Sequence, residues 1–263
     1  MDTELKDRIA FGRTVIDAQT ELLHGSFGRT ESHWKHDGTR ITPVDLEISQ
    51  RVSESLSGNF PNDHFFSEES DQGPKKLTER FAWILDPVDG TNNFALGIPM
   101  VAISLALLEN GEPVYGFVYD FGARRLTHGG PGLGLWIDDE PAKRLDPEDT
   151  DERVVGMHSP VDARHMPVVE AVLKGCKIRA LGSGTLHLTY VALGRTDASL
   201  DFTIKVWDIA AAVALCRESG IEILYLEDNP FPIKDFDVRM KPTPYLAART
   251  EVLRELIERL PIT

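Results

Sequence analysis

The stretch Phe81-Ala82-Trp83-Ile84-Leu85-Asp86-Pro87-Val88-Asp89-Gly90-Thr91-Asn92-Asn93-Phe94 decides how the rest of the chain is read. Phe81 to Leu85 is an unbroken apolar run and predicts a buried strand. Proline cannot donate to a ladder, so the strand is expected to stop at Asp86-Pro87. Two carboxylates, Asp86 and Asp89, then stand at its end. Gly90 lets backbone approach a ligand closely, and Thr91 suits the N-cap of a short helix. Carboxylates this close repel each other, and hard oxygen ligands suit a divalent ion, Mg2+ first. A helix N-terminus beside them attracts anions. The stretch therefore predicts metal-assisted chemistry on a phosphate.

Working outward, His64-Phe65-Phe66-Ser67-Glu68-Glu69-Ser70 reads as a short apolar strand ending in two acids. Adjacent acids on a strand point to opposite faces, so one is expected inward and the other in solvent. Thr42-Pro43-Val44-Asp45 starts a helix, with Thr42 at N-cap, Pro43 at N1 and Asp45 completing a capping box. Capping is the leading reading of Asp45. One earlier helix is predicted over Thr3 to Leu23. His33 to Gly38 reads as a mobile loop. His33 and His36 have ligand spacing, but nothing nearby completes a site, so both read as solvated. Residues 71–80 read as loop.

After the central stretch, Val101 to Leu108 and Val114 to Tyr119 are strands joined by Asn110-Gly111, a strong hairpin signal. Two shorter strands follow, at Arg125 to His128 and Gly134 to Ile137. The second half alternates. Strands at 154–157, 177–181, 198–202, 221–225 and 245–248 are interleaved with helices at 163–173, 185–193, 206–219 and 250–260. That order predicts an α+β first half and an α/β second half. The acidic run 145–151 is the expected boundary, with an N-terminal domain over 1–148 and a C-terminal domain over 149–263 completing the site.

The 263 residues carry 28 Lys+Arg against 42 Asp+Glu, a formal net charge of −14. This balance argues against nucleic acid, which needs clustered basic residues, and against an anionic membrane surface. An acidic protein that handles phosphate needs cations to reverse the local field. Cys176 and Cys216 form neither CxxC nor zinc spacing, and no disulfide is expected. No secretion signal or membrane span is read, so a reducing cytoplasm is the expected location.

Asp208 opens the apolar helix that begins Val206-Trp207-Asp208, where the helix dipole favours an acid. Three other chemistries fail on spacing. An EF-hand beginning at Asp86 lacks oxygen ligands at Val88 and Gly90 and a glutamate at Gly97. A haloacid-dehalogenase pair needs its second Asp two residues on, whereas Asp89 is three on. Gly182-Ser183-Gly184 is no GxSxG elbow.

Asp86 to Phe94 resembles the DPxDGTxNF signature of the inositol monophosphatase family. Phe66-Ser67-Glu68-Glu69-Ser70 is similar to its GEE segment, and Trp207-Asp208-Ile209-Ala210-Ala211 to its WDxAA segment. Lys35 and Thr42 to Asp45 fall where the family has a flexible lysine loop and a TxxD. The resemblance implies a layered α-β-α-β-α sandwich, usually a homodimer. It implies Mg2+-dependent, Li+-sensitive hydrolysis of a phosphate monoester by a metal-activated water, with two to three ions per site. Glu68, Asp86 and the Val88 carbonyl are implied for one ion, and Asp86, Asp89 and Asp208 for a second. Glu68 and Asp45 are implied for a weaker third. Glu68 and Thr91 are implied to orient the water, with Asp86 also in the catalytic set. Gly90 and Thr91 N–H groups are implied to hold phosphate, while Gly182, Ser183, Asp201 and Asp208 face the substrate.

Four departures fall in the walls. Ser67 replaces the Gly of GEE, Gly184-Thr185 an alanine pair, and Ala212 and Ile221 two glycines. The implied substrate is myo-inositol monophosphate first. Histidinol phosphate, fructose 1,6-bisphosphate or a 3′-phosphoadenosine nucleotide are the alternatives. A non-catalytic binding protein that kept the fold is the alternative of another class.

Overall fold

The structure is a computed structural model that describes residues 2–35, 38–70, 73–145 and 152–261. The expected domain boundary falls at residues outside these. The chain opens with α1 (Thr3–Asp17) and α2 (Thr20–Ser26), not with one helix over 3–23. The break lies at Gln19, whose N–H bonds the Ile16 carbonyl three residues back at 2.9 Å. Its buried side chain returns Nε2 to the Val15 carbonyl at 2.9 Å. The expected loop at 33–38 contains a strand of a small hairpin, β1 (His33–Trp34) against β2 (Arg40–Ile41). Lys35 N–H to Thr39 O, 2.7 Å, closes its turn. His36, one of the two histidines weighed as ligands, lies outside the described residues.

Helix α3 (Pro43–Asn59) starts as predicted, with the Thr42 N–H and hydroxyl both donating to Asp45 Oδ2. Next come β3 (His64–Ser67), β4 (Lys75–Lys76) and β5 (Phe81–Asp89). Strand β5 does not stop at Pro87. It runs to Asp89 through a bulge, with Asp86 opposite Ser104 and Asp89 opposite Ala102. The missing N–H of Pro87 costs nothing there, because β3 pairs only as far as Leu85 on the other side. Helix α4 (Thr91–Leu96) follows directly. Its N-cap is Gly90, at φ 89° and ψ 36°, and not Thr91, which already occupies the first helical position.

Strands β6 (Ala102–Glu109), β7 (Glu112–Asp120), β8 (Arg125–Gly130), β9 (Gly134–Ile137) and β10 (Glu140–Pro141) complete the first half. Asn110 and Gly111 both take positive φ in the predicted hairpin turn. The second half runs β11 (Arg153–Met157), α5 (Met166–Gly175), β12 (Cys176–Arg179), α6 (Gly184–Ala192), β13 (Ala198–Asp201) and α7 (Val206–Glu218). It ends with β14 (Glu222–Tyr225), β15 (Asp235–Phe236), β16 (Tyr245–Ala248) and α8 (Thr250–Arg259). The unpredicted β4 and β15 pair with each other.

A seven-stranded sheet has the order β10-β9-β8-β7-β6-β5-β3, and a five-stranded sheet β12-β11-β13-β16-β14. Alternation along the strands explains the layering. Trp83, Leu85, Ile103, Leu105 and Phe117 pack on α1 and α3, whereas Ala82, Ile84, Ala102, Ala106 and Val118 pack on α6 and α7. In the second sheet Tyr245 and Ala247 face α7, while Leu246 and Ala248 face α5 and α8. Helix α7 lies between the sheets and is buried over nearly its whole circumference, so it reads as apolar on all sides. Gly116 of β7 lies so close to it that a Cβ would overlap the Ala211 carbonyl. The result is the predicted α-β-α-β-α sandwich, with one core between the sheets shared by both halves. No helix among the described residues is long and apolar enough to cross a membrane, and Cys176 and Cys216 are both free thiols.

Candidate active site

The bulge at Pro87 places Asp86 and Asp89 at the edge of a cavity of about 230 Å³. Asp208 enters from the other half of the chain as the third residue of α7. Its Oδ2 accepts the Lys205 N–H at 2.6 Å, which fixes the helix start. Carboxylate oxygens of Asp86, Asp89 and Asp208 lie within 4.8 Å of one another. Burial, followed by repulsion from Glu68, Asp89 and Asp208, pushes Asp86 well above the ordinary carboxylate range. Asp208 is pushed up to about 8 by burial, then by Asp89 and Glu68. Three acids this crowded cannot all ionise unless a cation lies among them. An all-oxygen, carboxylate-rich donor set is also the chemistry that suits Mg2+. The residues therefore fit that ion.

Asp89 is held from the second half. Its Oδ2 accepts both the Ser183 hydroxyl and the Thr185 N–H, each at 2.6 Å. The same Ser183 oxygen accepts the Leu186 N–H at 3.2 Å and so caps α6. The Thr185 hydroxyl donates to the Asp208 carbonyl at 2.8 Å. The start of α6 thus ties β5 to α7. Asp86 Oδ1 accepts the Val88 N–H at 3.1 Å. The Val88 carbonyl lies 2.8 Å from Thr91 Oγ1, which also lies 3.2 Å from Asp45 Oδ1. Asp45 is both the expected cap and a neighbour of the site, and burial raises it to about 6 despite the bonds from Thr42.

Gly90 is required by its surroundings. At φ 89° a side chain is strained, and a Cβ would stand 2.7 Å from the Met100 carbonyl. Of the adjacent acids, Glu68 lines the cavity and Glu69 turns inward, with side chains 19% and 5% exposed. Neither is simply solvated, because Lys35 Nζ bonds Oε1 of both at 2.7 Å. Burial opposes the Lys35 charge, but the two glutamates outweigh it and hold its pKa above the usual value. Burial, then Glu68, raises Glu69 to about 7.

Of the residues singled out in the sequence, Glu68, Asp86, Val88, Asp89, Gly90, Thr91, Gly182 and Asp208 line the cavity. Ser183 and Asp201 are fully buried behind it. Asp201 Oδ1 accepts the Thr203 N–H at 2.9 Å, and Oδ2 pairs with His158 Nδ1 at 2.6 Å. Sequence reasoning passed over His158 and His187, which stand edge to face with ring centroids 4.8 Å apart. It also passed over Arg40 and Lys205, which contribute cationic lining.

A layered α-β-α-β-α sandwich with acids from both halves converging on one cavity defines a phosphomonoesterase of the inositol and sugar phosphatase architecture, shared with a Thermotoga maritima IMPase. That solved structure superposes with a TM-score of 0.82 at 27% identity, covering 96% of each chain. The chain belongs to the inositol monophosphatase family, whose model matches residues 5–258, and is a phosphoric monoester hydrolase. It is 31% identical over 216 residues to the Thermotoga maritima fructose-1,6-bisphosphatase/inositol-1-monophosphatase, covering 81% of this chain and 83% of that one. It is 32% identical over 203 residues to the Mycobacterium bovis inositol-1-monophosphatase, covering 70% and 68%.

Proposed function

We propose that the protein hydrolyses a small phosphate monoester in a Mg2+-dependent reaction, with myo-inositol monophosphate heading the candidates by its relatives' names. Fructose 1,6-bisphosphate, histidinol phosphate and a 3′-phosphoadenosine nucleotide follow. The observation that carries this reading is the ring formed by Asp86, Asp89 and Asp208, closed from two halves of the chain. Glu68, Asp86, the Val88 carbonyl, Asp89 and Asp208 would hold two ions, with Asp45 beside a third. When bound, Mg2+ supplies Lewis-acid charge neutralisation for the phosphoryl oxygens.

The remaining work falls to the chain itself. Gly90 and Thr91 N–H groups at the start of α4 bind the phosphate oxygens. Glu68 and the Thr91 hydroxyl orient the attacking water in line with the leaving oxygen. Asp45, 3.2 Å from that hydroxyl, is placed to accept its proton. Ser183 and Thr185 keep Asp89 fixed, so the acid ring has one geometry before substrate arrives. The protein works as a homodimer, is inhibited by Li+ and resides in the cytoplasm on this reading. It has no nucleic-acid or membrane partner.

The test is Mg2+-dependent phosphate release across a panel of these monoesters, with Asp86→Asn and Asp208→Asn as controls. Release that depends on Mg2+ and is lost in both variants supports the reading. Release from none of the esters, or full activity in both variants, overturns it in favour of a non-catalytic binding protein.

A further inference from the structure

Two cations, Arg40 and Lys205, line the same cavity as Glu68, Asp86, Asp89 and Asp208, and they are held differently. Lys205 directly precedes α7, and its Nζ donates to the Met240 carbonyl. Arg40 stands on β2, paired with Trp34 of β1. Partners across an antiparallel pair share a face, and the guanidinium carbon lies 4.4 Å from the centre of the Trp34 ring. Arg40 Nη1 also donates to the Ser32 hydroxyl at 2.9 Å. The stack and this one bond set the plane of the guanidinium but bring it no negative charge.

The charge of Arg40 is unanswered. Its Nε is buried and bonds no acceptor, and among the described residues no carboxylate pairs with it. Acids are plentiful in this chain, 42 against 28 Lys+Arg, and Arg8, Arg13, Arg80 and Arg153 each close on one. Four carboxylates share the cavity with Arg40, yet the stack on Trp34 keeps the guanidinium from closing on them. An arginine stays charged at every accessible pH, and a buried donor without a partner costs free energy. What Arg40 lacks is an anion. With Nη1 engaged by Ser32, the edge left for a two-pronged contact is the one formed by Nε and Nη2, the geometry that suits a phosphate.

We propose that Arg40 is a specificity-determining residue that takes a second phosphate carried by the leaving alcohol, so that a small sugar or polyol bisphosphate is preferred to the monophosphate of the same alcohol. The reacting phosphate belongs at the acid ring and the start of α4, and Arg40 meets the far end of the substrate from β2. A cavity of about 230 Å³ is small for a ligand site, so the alcohol that joins the two phosphates must be short. The inference rests on the phosphomonoesterase reading and reorders its candidates, placing a bisphosphate above myo-inositol monophosphate.

The experiment compares fructose 1,6-bisphosphate opened at C1, read as fructose 6-phosphate, with fructose 1-phosphate, read as fructose. The same ester breaks in both, and the two differ only in phosphate against hydroxyl at C6. The converse pair, the bisphosphate opened at C6 against fructose 6-phosphate, covers cleavage at the other end. At the end that is cleaved, the wild-type protein is expected to favour the bisphosphate by roughly tenfold in kcat/KM, as one charge-assisted contact allows. In Arg40→Gln the ratio should fall to about one, through KM for the bisphosphate, and Arg40→Lys should restore part of it, since an ammonium brings the charge without the fork. Trp34 is 64% exposed, so Trp34→Ala leaves the core intact and should lower the ratio severalfold even if Arg40→Gln folds poorly. A wild-type ratio at or below one, or a ratio unchanged in the folded variants, overturns the proposal. An equal loss on both esters, as a structural role or a contact to the reacting phosphate would give, overturns it too. Phosphate release from no ester at all overturns the phosphatase reading, and this proposal with it.

Discussion

Replacing Asp208 by Asn should make the metal-free protein more stable while it loses its Mg2+ response. The amide oxygen still accepts the Lys205 N–H, so the start of α7 is kept, and only the charge among Asp86, Asp89 and Glu68 is removed. A carboxyl raised to about 8 in the fold prefers its protonated form there. The sign follows from linkage. The folded pKa lies above the unfolded one, so the native state is favoured below the ordinary aspartate range. That advantage is lost as pH rises toward about 8.

At pH 8 the full cost of that displacement is roughly 5 kcal/mol, at about 1.4 kcal/mol per pH unit. Asp208 opens on the cavity and shares its strain with Asp86, so about 2–3 kcal/mol is the more realistic figure. In a chain of this length that is a rise in Tm of about 5 °C. Melting curves in EDTA at pH 8 should show the variant above the wild type. The gap should narrow steadily as pH falls and close near the ordinary aspartate range of about pH 4, where the wild-type acid is protonated in the folded and unfolded chain alike. Adding Mg2+ at pH 8 should raise the wild type well above the variant. A variant no more stable than the wild type in EDTA at pH 8, or a difference independent of pH, refutes the reasoning.

Gly90→Ala combines a strained φ with a Cβ 2.7 Å from the Met100 carbonyl. It should cost about 2–3 kcal/mol in denaturant titration and remove most phosphatase activity. Ser183→Ala deletes the 2.6 Å bond to Asp89 and the α6 cap together. A loss of about 2 kcal/mol in stability and about a tenfold rise in half-saturating Mg2+ are expected, the latter read from activity against Mg2+ concentration. Gly116→Ala drives a methyl into the Ala211 carbonyl. It should destabilise the protein by about 3 kcal/mol or more in urea unfolding, by forcing β7 and α7 apart.

The elements that a short window could announce were announced. The apolar run of β5, the apolar runs of β6 and β7, and Asn110-Gly111 between them all follow from local chemistry. The course of β5 through Pro87 was not legible, because it depends on Ser104 and Ala102 of β6 as partners. The two-residue ladders of β1 with β2 and of β4 with β15 are too short to carry a period. The helix break at Gln19 lies inside an unbroken apolar stripe. Among site residues, Asp86, Asp89, Asp208 and Glu68 were legible because each ends or opens an apolar element. His158 was not, since a single histidine after a strand has no local signature. Its partner Asp201 lies 43 residues away.

The bonds from Ser183 and Thr185 to Asp89 have a consequence for biosynthesis. Glu68, Asp86 and Asp89 leave the ribosome long before residues 183, 185 and 208 are made. Until those arrive, the early acids lack both the donors that fix Asp89 and the last member of the ring. A nascent or half-denatured chain therefore has no complete cage with which to chelate a divalent ion. On the proposed reading, an ion held by that ring would recognise only the finished fold, and its binding energy would fall entirely on the native state. Stability would then track free ion concentration as RT ln(1 + [L]/Kd), and the divalent ion level of the surroundings would help set how much of the synthesised chain stays folded.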